Sequence, residues 1–243
     1  MASPPIALIS GANTGIGLAV ATQLARDHGY HVIIGSRSAS AGQSAAETIT
    51  SAGHSASSVQ LDITSDESIA AAVKHITTKY GRLDVLVNNA GVLLDQPAGQ
   101  LDTRALFTQT LAVNVVGTAC LTEACEGLLR KADAARLVFV SSRMGSLKET
   151  LNRDTLYYKT DYKAYDASKA AVNMLALNWE RIFYGTGIMV NVACPGLVQT
   201  KMTRYTEYGA TTDVGATRIV ELATAKKGGP SGTYSDRDGP IPW

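Results

Sequence analysis

No stretch of the 243-residue sequence approaches the ~20 apolar residues that a helix needs to cross a bilayer. The opening Met1-Ala2-Ser3-Pro4-Pro5 has neither a basic segment nor an apolar run of signal-peptide length. Cysteine is scarce and odd in number: Cys120, Cys125 and Cys194 form no CxxC pair. That argues against a disulfide framework and for free thiols in a reducing compartment. The four histidines (His28, His31, His54 and His75) show no ligand spacing with each other or with cysteine, so no metal site is expected. Charge of one sign is missing too. Twenty-two Lys and Arg against 21 Asp and Glu leave a net charge of +1, no electrostatic footprint for nucleic acid or an anionic membrane. These absences lead us to expect a cytoplasmic protein with small-molecule partners, binding neither nucleic acid nor membrane.

What is present is a steady alternation of short apolar runs with longer amphipathic segments, the pattern of repeated βα units on a parallel sheet. Strands are expected at Ile6–Ser10, His31–Gly35, Val59–Leu61, Leu83–Val87, Leu137–Val140 and Ile188–Val192, with a last short one around Thr233. Helices are expected over Gly15–His28, near Ser40–Ser51, and over Ser65–Lys79 with Ser65 as its N-cap. Further helices should fill Thr103–Arg130, Lys163–Tyr184 and Asp213–Ala225. No repeat, charge run or linker interrupts this order. The fold class is therefore α/β: a single-domain, Rossmann-type doubly wound parallel sheet of about seven strands, with helices on both faces.

The first strand runs into Gly11-Ala12-Asn13-Thr14-Gly15-Ile16-Gly17. Between strand and helix, backbone N–H groups and the helix N-terminus can face a pyrophosphate. Glycine serves there because a Cβ would hold the backbone away from the phosphates. The spacing is GxxxGxG rather than the general GxGxxG. About 20 residues on, the end of the second strand normally distinguishes the cofactors. An acidic residue would bind the ribose 2′-OH of NAD, but here the stretch is Gly35-Ser36-Arg37-Ser38. Arg37 can pair with a 2′-phosphate and Ser36 or Ser38 can donate a hydroxyl. NADP(H) is thereby favoured over NAD(H).

Asn88-Asn89-Ala90-Gly91 after the fourth strand, Asn114, Ser141-Ser142, Tyr165-Asp166-Ala167-Ser168-Lys169 and Cys194-Pro195-Gly196 follow in order. With the glycine turn, this series resembles the short-chain dehydrogenase/reductase family along almost the whole chain. The resemblance implies that Asp62 and Ile63 touch the adenine and that Asn89, Ala90 and Gly91 line the adenine-ribose side. It also implies that Pro195 and Gly196 lie against the cofactor and that Val198 and Thr200 hold the nicotinamide carboxamide.

Tyr165 and Lys169 are four residues apart and share one helix face. A phenol with an ordinary pKa near 10 is a poor base at neutral pH. A neighbouring ammonium favours the phenolate and would bring that pKa nearer to working pH. Ser142 ends the fifth strand, where its hydroxyl can donate to a substrate carbonyl oxygen. Ser141 is the alternative, but the resemblance places the catalytic hydroxyl second. It further implies that Lys169 holds the nicotinamide-ribose hydroxyls and relays protons, and that Asn114 organises a water chain to that lysine. Tyr157, Tyr158 and Tyr162 lack a lysine four residues later.

Tyr165 follows Ser142 by 23 residues, longer than in the simplest family members. The extra segment, 143–164, resembles the carbonyl-reductase-like branch, as does the ending Gly239-Pro240-Ile241-Pro242-Trp243. In that branch such an insertion can cover the helix face used for dimerisation, so a homo-oligomer and a monomer both stay open. The substrate loop, 200–212, is short. These features together give an NADPH-dependent reductase of ketones or aldehydes. The alternatives are an NAD(P)-linked alcohol dehydrogenase, a tailoring reductase for one substrate, and a non-catalytic NADP(H)-sensing module.

Overall fold

The computed structural model describes residues 3–95 and 101–243; Met1 and Ala2 of the opening Met1–Pro5 stretch lie outside them. At its centre are strands whose five-residue runs are apolar on both faces. Ile6–Ser10 (β1) and Met189–Ala193 (β6) are buried at every position, as a strand covered on both sides requires. Around them lie His31–Ser36 (β2), Ala56–Gln60 (β3), Val85–Asn88 (β4), Arg136–Val140 (β5), Thr233–Asp236 (β7) and Gly239–Pro240 (β8). The sheet order is β3-β2-β1-β4-β5-β6-β7-β8. All neighbours are parallel except β7 and β8, which pair antiparallel. The order reverses between β1 and β4, and a doubly wound sheet opens its binding crevice at such a point.

The helices are Gly15–His28 (α1), Ala39–Ser51 (α2), Asp66–Tyr80 (α3), Thr103–Leu111 (α4), Thr118–Leu129 (α5), Lys163–Phe183 (α6) and Thr212–Ala223 (α7). They divide the core in two. One cluster packs Leu8, Leu86 and Phe139 against α3, α5 and α6, and the other packs Ile9, Val87 and Val138 against α1, α2 and α7.

Three expectations need correction. The sheet has eight strands, the last a two-residue antiparallel pair whose proline hides it from strand rules. The third strand lies earlier than Val59–Leu61, because Ala56 to Gln60 pair in register with Val32 to Ser36. The Thr103–Leu129 helical stretch does meet the length and composition of a membrane span; here it forms a wall of the sheet and buries Leu121, Cys125, Leu128 and Leu129. Ala112–Gly117, between α4 and α5, is a π turn, a wide turn that often marks functional sites.

Candidate active site

The β1–α1 turn is built by close approach. Gly11 and Gly15 have φ of 65° and 59°, the left-handed region in which a side chain is strained. A Cβ on Gly17 would lie 2.5 Å from Asn89 Nδ2 and 2.8 Å from the Gly11 carbonyl oxygen. Asn89 Nδ2 itself donates to the Ser10 carbonyl at 2.9 Å, and Ser10 Oγ accepts the Asn89 and Ala90 N–H groups, each at 3.0 Å. Thr14 precedes α1 in an extended conformation without a side-chain cap, and no acidic residue occupies the first turn. The first N–H groups of α1 are thus left for an anionic ligand.

The turn opens into a cleft of about 560 Å³. Gly11, Asn13, Thr14, Gly15, Ile16 and Gly17 line one wall, with Arg37, Asp62 and Ile63 at the far end. Asn89, Ala90 and Gly91 line the β4 side, and Pro195, Gly196, Val198 and Thr200 close the other. Tyr165, Lys169, Met202 and Tyr205 also face it. Arg37 is exposed and lowers the Asp62 carboxyl below its ordinary value, a smaller influence than the hydrogen bonds from Thr64. Ser36, by contrast, is 1% exposed and donates to the Ser38 carbonyl at 2.8 Å, while Ser38 caps α2 by accepting the Ala41 N–H. Both hydroxyls are engaged internally, so Arg37 alone of the Ser-Arg-Ser stretch faces the cleft.

Tyr165 and Lys169, which face the cleft, stand one turn apart on α6. Lys169 is 6% exposed and donates to the Val140 carbonyl at 2.9 Å. Its Nζ sits 5.5 Å from the centre of the Tyr165 ring. Burial lowers the Lys169 pKa to about 8. Burial also raises the phenol of Tyr165, followed by Cys194, while a hydrogen bond with Ser142 acts the other way. The ammonium bonds to a carbonyl and lies over the ring. Desolvation therefore outweighs the expected pull toward phenolate.

Of the adjacent serines, Ser141 is 2% exposed and its hydroxyl donates to the Lys169 carbonyl. Of the two, Ser141 is among the cleft-lining residues and Ser142 is not; Ser142 lies beside the phenol, at the head of a 3-10 turn, Arg143–Gly145. That turn is anchored by groups that sequence motifs do not flag. The Tyr234 hydroxyl donates to the Ser142 carbonyl. Arg143 pairs with Asp236 at 2.8 Å and Glu149 at 3.0 Å, and Ser146 Oγ donates to the Pro242 carbonyl at 2.6 Å.

Asn114 lies in the π turn, 1% exposed and outside the cleft lining. Its Oδ1 accepts the Val92 N–H at 2.8 Å, and its Nδ2 donates to the Val92 carbonyl and to Ser168 Oγ, both at 2.9 Å. The side chain therefore braces the segment after β4.

Residues 5–210 match the family model for short chain dehydrogenases. The short-chain dehydrogenase/reductase eupG of a Phoma species is 35% identical over 80% of this chain and 77% of its own. Salutaridine reductase of Papaver somniferum is 28% identical over 95% of this chain and 93% of its own. The solved structure of that reductase covers 94% of this chain and 98% of its own with a TM-score of 0.80. A gluconate 5-dehydrogenase from Burkholderia cenocepacia, solved with NADP and tartrate, has the same fold at a TM-score of 0.82 and 22% identity, over 97% of this chain and 94% of its own. The chain belongs to the short-chain dehydrogenase/reductase family of oxidoreductases, which use nicotinamide cofactors. A dinucleotide fits the cleft. One wall carries the glycine turn, where Gly17 leaves no room for a Cβ and Gly11 very little, with the N–H groups of α1 beside it and the cationic side chain of Arg37 also lining the cleft.

Proposed function

We propose that the protein is a cytoplasmic NADP(H)-dependent carbonyl reductase, converting a small-molecule ketone or aldehyde to the alcohol with Tyr165 as general acid. One observation carries the reading: Tyr165 and Lys169 line the same cleft as the glycine turn and Arg37. The nicotinamide cofactor supplies the hydride when bound.

Every other part belongs to this chain. Raised by burial, the Tyr165 phenol keeps its proton at neutral pH, the state needed to protonate a developing alkoxide. Ser142 can donate its hydroxyl to the same oxygen and hold the carbonyl in line. Lys169 remains largely cationic below its pKa of about 8 and favours negative charge on that oxygen. The cofactor preference follows from Arg37, which offers a 2′-phosphate a charge-assisted contact where NAD enzymes place a carboxylate. Met202 and Tyr205 add apolar surface to the cleft, which suits a bulky, hydrophobic carbonyl compound. That one relative is named a reductase, salutaridine reductase, supports the reductive direction.

The test is cofactor oxidation at 340 nm with NADPH and NADH in parallel, against small and bulky aldehydes, ketones, diketones and quinones. Turnover of bulky carbonyls with NADPH, and much less with NADH, is expected. Tight NADPH binding with no turnover across the panel would replace the reductase with a sensing module.

A further inference from the structure

The helix that carries Tyr165 has no cap of its own. Tyr162, at the N-cap position of α6, makes no side-chain capping bond and has a non-extended backbone, φ −115° and ψ 48°. Four N–H groups at such an end need partners from elsewhere. Two of them find one nearly seventy residues up the chain. Asp95, in the segment after β4, is 9% exposed. Its Oδ1 accepts the Ala164 N–H at 3.0 Å and its Oδ2 accepts the Tyr165 N–H at 3.2 Å.

The other side of the Tyr165 backbone is held from the same segment. The Tyr165 carbonyl accepts the Ser168 hydroxyl at 2.6 Å, and Ser168 Oγ accepts from Asn114, which is bonded to Val92. Val92 and Asp95 thus grip Tyr165 at its C=O and N–H respectively. A carboxylate is the strongest acceptor available to those N–H groups, and its charge matches the positive end of the helix dipole. A second carboxyl, Asp166, lies beside it, with Oδ1 buried and unpartnered. It is pushed up to about 7, by burial first and then by Asp95.

We infer that Asp95 is a positioning residue for Tyr165: its carboxylate sets where the first turn of α6, and with it the phenol, stands relative to the substrate oxygen. The inference rests on the assignment of Tyr165 as general acid. It concerns geometry, because Asp95 itself is outside the cleft lining. Small displacements of a reacting group are costly: about 1 Å can lower a rate on the order of 100-fold. Losing the clasp should therefore act on kcat and spare cofactor affinity.

The experiment compares Asp95→Ala, Asp95→Asn, Tyr165→Phe and the double variant Asp95→Ala/Tyr165→Phe. Turnover with NADPH is measured against the best carbonyl substrate, and the NADPH dissociation constant by nicotinamide fluorescence. Asp95→Ala should lower kcat roughly 10- to 100-fold, with the NADPH dissociation constant within about twofold, less than 0.5 kcal/mol. Asp95→Asn keeps one carbonyl acceptor in place and should fall between wild type and Ala. It also serves if the Ala variant does not fold. In the Tyr165→Phe background, Asp95→Ala should change the residual rate little, since the group it positions is gone. Undiminished kcat in the folded Asp95 variants, or a parallel loss of NADPH binding, overturns the positioning role. Wild-type activity in Tyr165→Phe overturns the acid assignment instead, so the two failures are distinguishable.

Discussion

Arg37 stands exposed at the end of β2, with a neighbouring carboxylate in Asp62 and open cleft beyond. A guanidinium there gives a 2′-phosphate a charge-assisted contact and gives a 2′-hydroxyl little. Arg37→Ala should weaken NADPH binding roughly 10- to 100-fold while leaving NADH within about twofold; equal losses in parallel fluorescence titrations would remove the phosphate role. Lys169 makes a different prediction. Its pKa in the folded protein is lowered from 10.5 to about 8 by burial, so the folded state binds fewer protons than the unfolded chain between those values. Stability attributable to this residue is therefore low below pH 8 and rises as pH climbs toward 10.5. Lys169→Met should be more stable than wild type at pH 7, and that advantage should shrink by about 3 kcal/mol by pH 10.5, read from urea unfolding of the cofactor-free protein. An advantage constant with pH would show that the lysine is not desolvated as a cation.

The βα elements were legible because each carries its own local signal. Ser65 caps α3 by accepting the Ser68 N–H, as the Ser-before-apolar pattern suggests, and Gly29 ends α1 in the left-handed conformation. Elements set by tertiary context were not. Ala-Ser-Ser in β3 reads as turn chemistry and becomes a strand only through its register with β2. The clasp of Asp95 on α6 joins residues 69 and 70 positions apart, a spacing no motif encodes. Nor does the apolar pattern across Ala112–Gly117 reveal a π turn. That turn amounts to one residue more than an α-helix would use. Deleting Val115 should let α4 and α5 join as one regular helix and rotate Asn114 away from Val92 and Ser168. The expected result is retained or improved thermal stability with turnover reduced at least tenfold; unchanged turnover would mean that Asn114 is dispensable. Each residue of an α-helix turns by ~100°, which sets the size of that rotation.

At the level of the whole molecule, the cleft walls were legible because the family series spans the chain in order, whereas their supports come from segments with no motif. Glu149 lies in the insertion, Asp236 in β7 and Pro242 in the tail, yet all bear on the turn after Ser142. The order in which the strands lie has a consequence for how the chain is made. β2 and β3 extend the sheet in one direction from β1; β4 joins the other side of β1, and β5 through β8 extend it that way, each beside the one before. No strand has to be inserted between two already in place, so every segment leaving the ribosome meets a free edge of the sheet built so far. Synthesis from the N-terminus can lay down the dinucleotide wall first and the tyrosine helix later. The Ser142 turn comes to rest only when β7 arrives to hold it.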